Sequence, residues 1–316
     1  MEQGSLPERY LSRSVLKHIK KQNKTLVCGA AVGNDFSLMG DVVTAEGVGS
    51  TPVVAWAKAM NNFACSGGVA QSARLTLLMP EITKESWLKG YMSDFNNLAE
   101  RDNVQIIGGH SDLSANYVKP CFVVTIIGKA GEYRHDRKLI KSGFDIVMVG
   151  DTAVLGTNLI AHERAQELKK RFSPSYIADA YRDESEYSIV KAAGIAAKSG
   201  ACYMHDVSGG GVYGALWQLG VWMRQGFLVE HVNIPIRQEA IEICEYFNIN
   251  PYLLDGTGAL IVVTKDGNSL VNALEINGIQ SFIIGKVTEG KEKMIVMNDT
   301  DKRCLSPVNG DEYYHI

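Results

Sequence analysis

The residue types most able to do chemistry lie where polar side chains run into glycines. From Met204 the chain reads Met204-His205-Asp206-Val207-Ser208-Gly209-Gly210-Gly211-Val212-Tyr213-Gly214-Ala215-Leu216. An imidazole, a carboxylate and a hydroxyl precede three glycines, and Val212, Leu216, Leu219 and Met223 then recur at helical spacing. A strand that turns through glycine into a helix leaves the first helical N–H groups without intrahelical partners, and the helix dipole adds partial positive charge there. Such a turn suits a phosphate, which glycine lets approach the backbone. Ser208, Gly209, Gly210 and Gly211 are therefore the candidate phosphate-binding residues. Asp206 is a candidate ligand for Mg²⁺, a hard cation that prefers carboxylate and phosphate oxygens. A capped helix behind a tight turn would use the same residues, so both readings stand. Gly209, Gly211 and Gly214 also satisfy the G-x-G-x-x-G dinucleotide pattern, and Glu230 lies about where the ribose carboxylate would fall. Against that reading, His205, Asp206 and Ser208 put polar groups into an approach that the dinucleotide fold keeps apolar.

Three further segments have the same character. Val104-Gln105-Ile106-Ile107-Gly108-Gly109-His110-Ser111-Asp112 reads as an apolar strand ending in a ligand-facing loop, where His110 and Asp112 could coordinate a metal or position a nucleotide. A polar turn capped by Asp is the alternative. Gly29-Ala30-Ala31-Val32-Gly33-Asn34-Asp35 reads as a bend whose Asp35 could ligate a metal or bond its own turn. Asn61-Asn62-Phe63-Ala64-Cys65-Ser66-Gly67-Gly68 reads as a helix end, with Gly67 or Gly68 as the left-handed cap and two adjacent amides that could face a ligand. His162 reads as solvated, and His18, His135, His231 and His315 have no partner pattern. No nucleophile elbow and no His-x-x-x-His zinc pair occurs.

The elements that must position these residues alternate along the chain, which predicts a mixed α/β or α+β fold. Ser5-Leu6-Pro7-Glu8 reads as a helix start, with Ser5 as N-cap and Glu8 closing a capping box. Strands are expected at Thr25–Ala31, Leu75–Met79, Val104–Ile107, Pro120–Gly128, Phe144–Val149, Ala201–Met204 and 259–264, with two more closing the chain. Helices are expected from Ser50-Thr51-Pro52 to about Cys65, over Trp87–Ala99 with Trp87, Leu88, Tyr91, Met92, Phe95, Leu98 and Ala99 on one face, and near 155–170, 185–199, 237–247 and 268–277. The polar stretch Glu132–Ser142 is the expected boundary between a first domain over 1–140 and a second over 141–316.

The chain has 316 residues, which favours two domains, and 46% hydrophobic against 21% charged residues, which supports a full core. A net charge of −3 argues against nucleic-acid binding by bulk charge. No apolar run reaches the ~18–20 residues of a membrane helix, and the opening residues lack a signal pattern, so a cytoplasmic protein is expected. The six cysteines have no CxxC spacing and read as reduced core thiols. Glycine, at 31 residues against only 8 prolines, is in excess, and it clusters in the four segments above.

Taken in order, these segments resemble the superfamily of aminoimidazole ribonucleotide synthetase, the hydrogenase maturation dehydratase (the E protein) and selenophosphate synthetase. MHDVSGGGVYGALWQL (204–219) resembles the glycine-rich segment that opens a helix in their second domain. IIGGHSD (106–112) resembles the strand-end motif of the first domain, GAAVGNDFSLM (29–39) the early glycine–Asp segment, and AMNNFACSGG (59–68) the helix that carries a metal-binding Asp. DIVMVGDTAVLGTNLIAHER (145–164) is similar to the opening of the second domain, and INPYLLDGTGALIVV (249–263) to a later strand behind a glycine turn. The resemblance spans about 25–298 and is nearest to the dehydratase branch. It implies two α/β domains of cyclo-ligase type, the second an α/β sandwich. It also implies a homodimer in which first-domain strands form a barrel across the subunits. ATP with Mg²⁺ would be used for phosphoryl or adenylyl transfer to a small substrate or a protein-borne carboxamide. By position, Asp35, Asn62, Gly108, Gly109, His110 and Asp112 would line the nucleotide, Asp35 and Asp206 the metal, and Ser208–Gly211 the phosphate.

The departures carry information too. Asn62 stands where the family usually has Asp, and an amide is a neutral, weaker Mg²⁺ ligand. Thr44-Ala45-Glu46 lies near the family's Thr-Asp segment. The chain ends Tyr313-Tyr314-His315-Ile316, without the dehydratase's terminal cysteine; Cys304 comes twelve residues before the last residue. The early Cys/Lys pair of selenophosphate synthetase has no counterpart. A nucleotide-binding or regulatory protein without turnover is the competing expectation.

Overall fold

The computed structural model describes residues 3–4, 6–20, 23–133 and 135–316. The chain divides into two compact units: a smaller one of Lys21–Gly29 and Asp35–Tyr133, and a larger one of Met1–Lys20, Ala30–Asn34 and Arg134–Ile316. No helix among the described residues is long and apolar enough to cross a membrane. The chain opens with α1 (Glu8–Tyr10), which continues as a π turn (Leu11–Val15) and a 3₁₀ turn (Leu16–His18). The expected cap Ser5 lies outside the described residues, and Glu8 Oε1 accepts from Ser12 Oγ at 3.1 Å.

The smaller unit is one sheet under two helices. Its elements are β1 (Leu26–Cys28), β2 (Phe36–Met39), β3 (Val42–Gly49), α2 (Pro52–Ala64), β4 (Val69–Pro80), α3 (Glu85–Arg101), β5 (Gln105–Ser114) and β6 (Cys121–Lys129). The sheet order is β1-β2-β3-β6-β4-β5, antiparallel except for the parallel pair β4/β5. It is open, so the barrel expected of this domain is not closed within one chain. Residues of β6 alternate between buried and half-buried, the period-2 signature of a sheet with one packed face. Thr51 caps α2 by accepting from Val54 N, with Pro52 in the first turn. That helix lies directly on β3, because Gly47 and Gly49 have no side chain: a Cβ on Gly47 would stand 2.2 Å from Ala59 N and one on Gly49 2.6 Å from Ala55 N. Trp56, Phe95 and Phe122 fill the core, with Trp56 Nε1 donating to Asp102 Oδ2 at 2.7 Å. The single face expected of α3 is only partly buried. Phe95, Leu98 and Ala99 are in the core, whereas Trp87 and Met92 are exposed.

The larger unit is a seven-stranded sheet in the order β13-β12-β9-β11-β7-β10-β8. In chain order it holds β7 (Asp145–Val149), α4 (Val154–Glu163), α5 (Ala165–Leu168), α6 (Pro174–Asp179), α7 (Val190–Lys198), β8 (Ala201–Val207), α8 (Gly211–Met223) and β9 (Gly226–Glu230). There follow α9 (Gln238–Phe247), β10 (Ala259–Thr264), α10 (Gly267–Glu275), β11 (Ser281–Thr288), β12 (Lys293–Val296) and β13 (Lys302–Cys304). Every residue of β7 and β10 is buried, so these strands read as unbroken apolar runs. Val212, Ala215, Leu216, Leu219 and Met223 of α8 join Met148, Tyr203, Phe227 and Ile261 of the strands in the main core. A second core holds Ile160, Leu168, Ile177, Ile243 and Cys244 from the helices α4 to α6 and α9.

Several expectations change here. The helix expected over 155–170 breaks at Arg164, and the one expected over 185–199 starts as a 3₁₀ turn over Glu184–Tyr187 before α7. Three strands close the chain rather than two. The dinucleotide reading is removed by topology. That fold sets the acid-bearing strand beside the glycine-loop strand, whereas β11, β7 and β10 all lie between β8 and Glu230 on β9. None of the six cysteines is in a disulfide, and Cys65 and Cys244 are buried.

Candidate functional site

The strand leading to the three glycines is longer than its apolar part. It runs through His205, Asp206 and Val207, because β8 stays in antiparallel register with β10 as far as Val207↔Ala259. His205 and Asp206 are thereby strand residues, each 3% exposed. Charged groups buried this deeply are kept only with partners or cations. Beside them, Tyr203 sits 5.9 Å from His205 between ring centroids and donates from its hydroxyl to the Gly33 carbonyl at 2.9 Å. The Gly33 backbone rests on α8, where a Cβ would come 2.7 Å from the Gln218 carbonyl, and its φ of +74° also demands glycine. The expected bend at Gly33 is thus fastened to the helix that follows the glycine turn. Asp35 lies half-buried just before β2.

The glycine turn itself is well defined. Gly211 N–H donates to the Ser208 carbonyl at 3.0 Å, and Gly210 has φ +87° and ψ 1°, the third position of a type II turn. Gly211 has φ +64°, and a Cβ there would stand 2.5 Å from the Tyr252 carbonyl. The Gly210 N–H points at a carboxylate: Asp311 Oδ2 accepts it at 2.8 Å, while Asp311 Oδ1 accepts from Tyr313 N at 2.9 Å. In this conformation the Gly210 N–H is taken by the chain's own Asp311 side chain. The space beside Gly209 and Gly214 is only about 40 Å³, walled by Leu6, Glu8 and Val308. That is about the room of one water. Asp311 gives no local signal in the sequence, since its partner lies 101 residues away.

The Gly108–Asp112 segment is placed differently from its expectation as a loop. It continues β5 as an edge strand, paired in parallel with β4 as far as Pro80↔Ser114. Gly109 allows this because its backbone passes against β4, where a Cβ would lie 1.7 Å from the Leu75 carbonyl. Gly108, Gly109, His110, Ser111 and Asp112 are all exposed, and the Asp112 carboxylate accepts from the Tyr117 hydroxyl at 3.3 Å. Asn62 is half-buried in the last turn of α2, and its Nδ2 donates to the Glu46 carbonyl at 2.7 Å. A carboxylate could not make that bond, which accounts for the amide at this position. Cys65 takes the C-cap of α2, and Gly67 follows with φ +64°.

At the opening of the second sheet, Asp151 and Glu186 flank Arg237 at 2.5 and 2.7 Å. His162, expected to be solvated, is exposed and stacks on Tyr181 with ring centroids 4.0 Å apart. His231 does have a partner, the Tyr213 hydroxyl at 3.0 Å from Nδ1, brought together by the fold rather than by spacing.

Residues 21–130 match the N-terminal domain of AIR synthase related protein and residues 141–298 its C-terminal domain. A curated relative, carbamoyl dehydratase HypE of Rhodobacter capsulatus, is 22% identical over 210 residues, 66% of this chain. The match spans only 60% of that relative's length. Among solved structures, hydrogenase maturation protein HypE in complex with ATP aligns with a TM-score of 0.74 at 15% identity, covering 97% of this chain and 96% of that one. AaThiL complexed with AMPPCP and TMP aligns with a TM-score of 0.66 at 17% identity, covering 88% and 93%. These likenesses establish the fold, and the two matched domains together establish that the chain belongs to the AIR synthase related proteins.

Proposed function

We propose that this protein is an ATP-dependent enzyme that activates a small substrate or a protein-borne carboxamide by phosphoryl or adenylyl transfer. The observation that carries the reading is the buried His205–Asp206 pair leading straight into an anion-holding glycine turn. Two aligned structures support it, one a HypE with ATP and the other a ThiL with AMPPCP and TMP. In this reading a nucleotide phosphate competes with the Asp311 carboxylate for the Gly210 N–H, and the end of the chain moves when it wins. Ser208 and the N–H groups of Gly209 to Gly211 orient the phosphate. Asp35, Asn62, Gly108, Gly109, His110 and Asp112 serve nucleotide binding.

Asp35 and Asp206 are each proposed as Mg²⁺ ligands. The buried Asp206 carboxylate is the kind of hard oxygen donor that this ion takes. Mg²⁺ would neutralise phosphate charge, while the chain's own contribution is positioning and exclusion of water. A functional division at 140/141, a cytoplasmic location and a homodimer belong to the same reading. The dimer would form through the β5 edge, which leaves backbone groups unpaired and exposes Ile107 and Leu113. A second reading, a nucleotide-binding protein without turnover, is favoured by one observation: the Asn62 amide is committed to the Glu46 carbonyl where an acid would serve the metal.

The test is thermal. Saturating Mg-ATP should stabilise the protein by about 2–3 kcal/mol at roughly a hundred times Kd, and phosphate release should follow in the presence of substrate. No shift at millimolar Mg-ATP defeats both readings; a shift without hydrolysis across a panel of acids and amides selects the second.

A further inference from the structure

A cavity much larger than the space at the glycine turn lies elsewhere in the larger unit. It is a space of about 560 Å³ between the first turn of α8, the 3₁₀ turns at His231 and Tyr252, and the chain from Ile295 to His315. Its volume is that of a small-molecule site. One wall is aromatic: the Tyr213 and Tyr252 rings stack 5.3 Å apart and within 20° of parallel, and His231 lies 4.5 Å from Tyr252. Apolar Ile295, Met297 and Leu305 contribute to the lining. Arg303, on β13, supplies the cation. Its Nε and Nη2 bond Asp301 at 2.9 and 2.7 Å, its side chain is 66% exposed, and its Nη1 remains for a ligand.

These features select a ligand class. Stacked rings and apolar lining recognise a flat, polarisable molecule. Arg303 recognises a carboxylate or phosphate through a charge-assisted hydrogen bond from Nη1, and it disfavours a cation in front of the tyrosines. Burial and the nearby Arg303 push the His231 pKa down, which favours the uncharged ring. Glu312 also lines the cavity, and its Oε2 is 3.3 Å from His315 Nδ1. We propose that the cavity formed by Tyr213, His231, Tyr252 and Arg303 is a binding site for a planar aromatic anion, separate from the nucleotide site. The two are joined through the chain, because the Tyr252 carbonyl packs on Gly211 and the cavity includes Asp311, which holds Gly210.

The test uses three flat probes of one shape and different charge: 1-naphthoate, 1-naphthamide and 1-naphthylmethylammonium. Binding to the full chain is measured by calorimetry and by ligand-observed NMR. The naphthoate should bind with a Kd at or below about 10⁻⁴ M and at least tenfold more tightly than the ammonium probe, with the amide between them. Arg303→Gln, a change at an exposed side chain, should abolish the preference for the anion and leave amide binding in place. Tyr252→Leu should weaken all three probes about tenfold while keeping the backbone carbonyl against Gly211. The proposal is overturned if no probe binds at millimolar concentration, if the cation binds best, or if Arg303→Gln leaves the charge preference intact. Loss of fold in Tyr252→Leu would leave the Arg303 arm decisive. No nucleotide is present in these titrations, so their outcome is independent of whether the protein uses ATP.

Discussion

Two strands at the ends of sheets, β5 and β8, carry similar residues in a different order: an apolar run joined to histidine, aspartate and a glycine cluster, with the glycines before the histidine in β5 and after the aspartate in β8. Their surroundings are opposite. β8 borders the seven-stranded sheet, yet α8 and α7 pack against it, so His205 and Asp206 are almost wholly buried. β5 borders the six-stranded sheet with its far edge bare, and His110, Ser111 and Asp112 stand in solvent. The same side chains therefore meet different dielectric surroundings. At β8 a carboxylate interacts strongly with any charge placed near it, while at β5 water screens it. An open edge with exposed apolar residues also calls for cover, so in the proposed reading β5 is the assembly edge and β8 the chemical one.

The largest effects expected are backbone effects, and they should not distinguish the two strands. Gly109→Ala and Gly211→Ala each drive a Cβ into a carbonyl, at 1.7 and 2.5 Å, and Gly211 is also left-handed. Each should cost about 3 kcal/mol or more in denaturant unfolding. Gly108→Ala, whose Cβ would meet only the Arg74 Nη1 in ordinary contact at 3.8 Å, should cost only about 1 kcal/mol for its φ of +145°. A small cost at Gly109 would mean that β5 does not run in register beside β4.

The next effect should separate the strands. Asp206→Ala is expected to remove the whole Mg-ATP stabilisation, about 2–3 kcal/mol, whereas Asp112→Ala should remove only part of it. Equal losses would undo the ranking of the buried strand above the exposed one. Leu113→Lys tests the assembly role. It adds a charge to the bare edge at a residue already 57% exposed, so it should shift a dimer toward monomer in sedimentation with little change in the monomer's unfolding. An unchanged mass would remove β5 from the interface.

How much of this was legible in the sequence follows from which forces are local. Helix α2 was readable to within a residue because Thr51 and Pro52 act on their own turn. The central strands were readable because burial on both faces leaves an apolar run. Sequence signals end β5 at Ile107 and β8 at Met204, since glycine, histidine and aspartate are poor strand formers in isolation, and only the partner strands β4 and β10 hold the residues beyond them extended. The glycine turn is legible in the sequence, but its bond to Asp311 is not, because that residue reaches it across 101 positions. The cavity at Tyr213, His231 and Tyr252 was invisible for the same reason: its wall is assembled from distant segments whose residues lack any shared spacing.

The smallest effect concerns the helix behind the exposed strand's sheet. Asn62→Asp restores the acid usual in the family at the cost of the 2.7 Å bond from Nδ2 to the Glu46 carbonyl. The carboxylate would then face a carbonyl oxygen, two acceptors without a proton between them. A lost, partly exposed hydrogen bond of this kind should lower stability by about 1 kcal/mol in the absence of ligand. Mg²⁺ alone should recover part of that loss if the new carboxylate reaches the metal, because a ligand that binds only the folded state stabilises it by linkage. The signature is therefore a difference of sign: wild type nearly indifferent at this position to millimolar Mg²⁺, the variant rescued by it. If the variant is destabilised equally with and without Mg²⁺, position 62 is a structural clamp between α2 and β3, and the metal, where bound, takes its carboxylates from elsewhere.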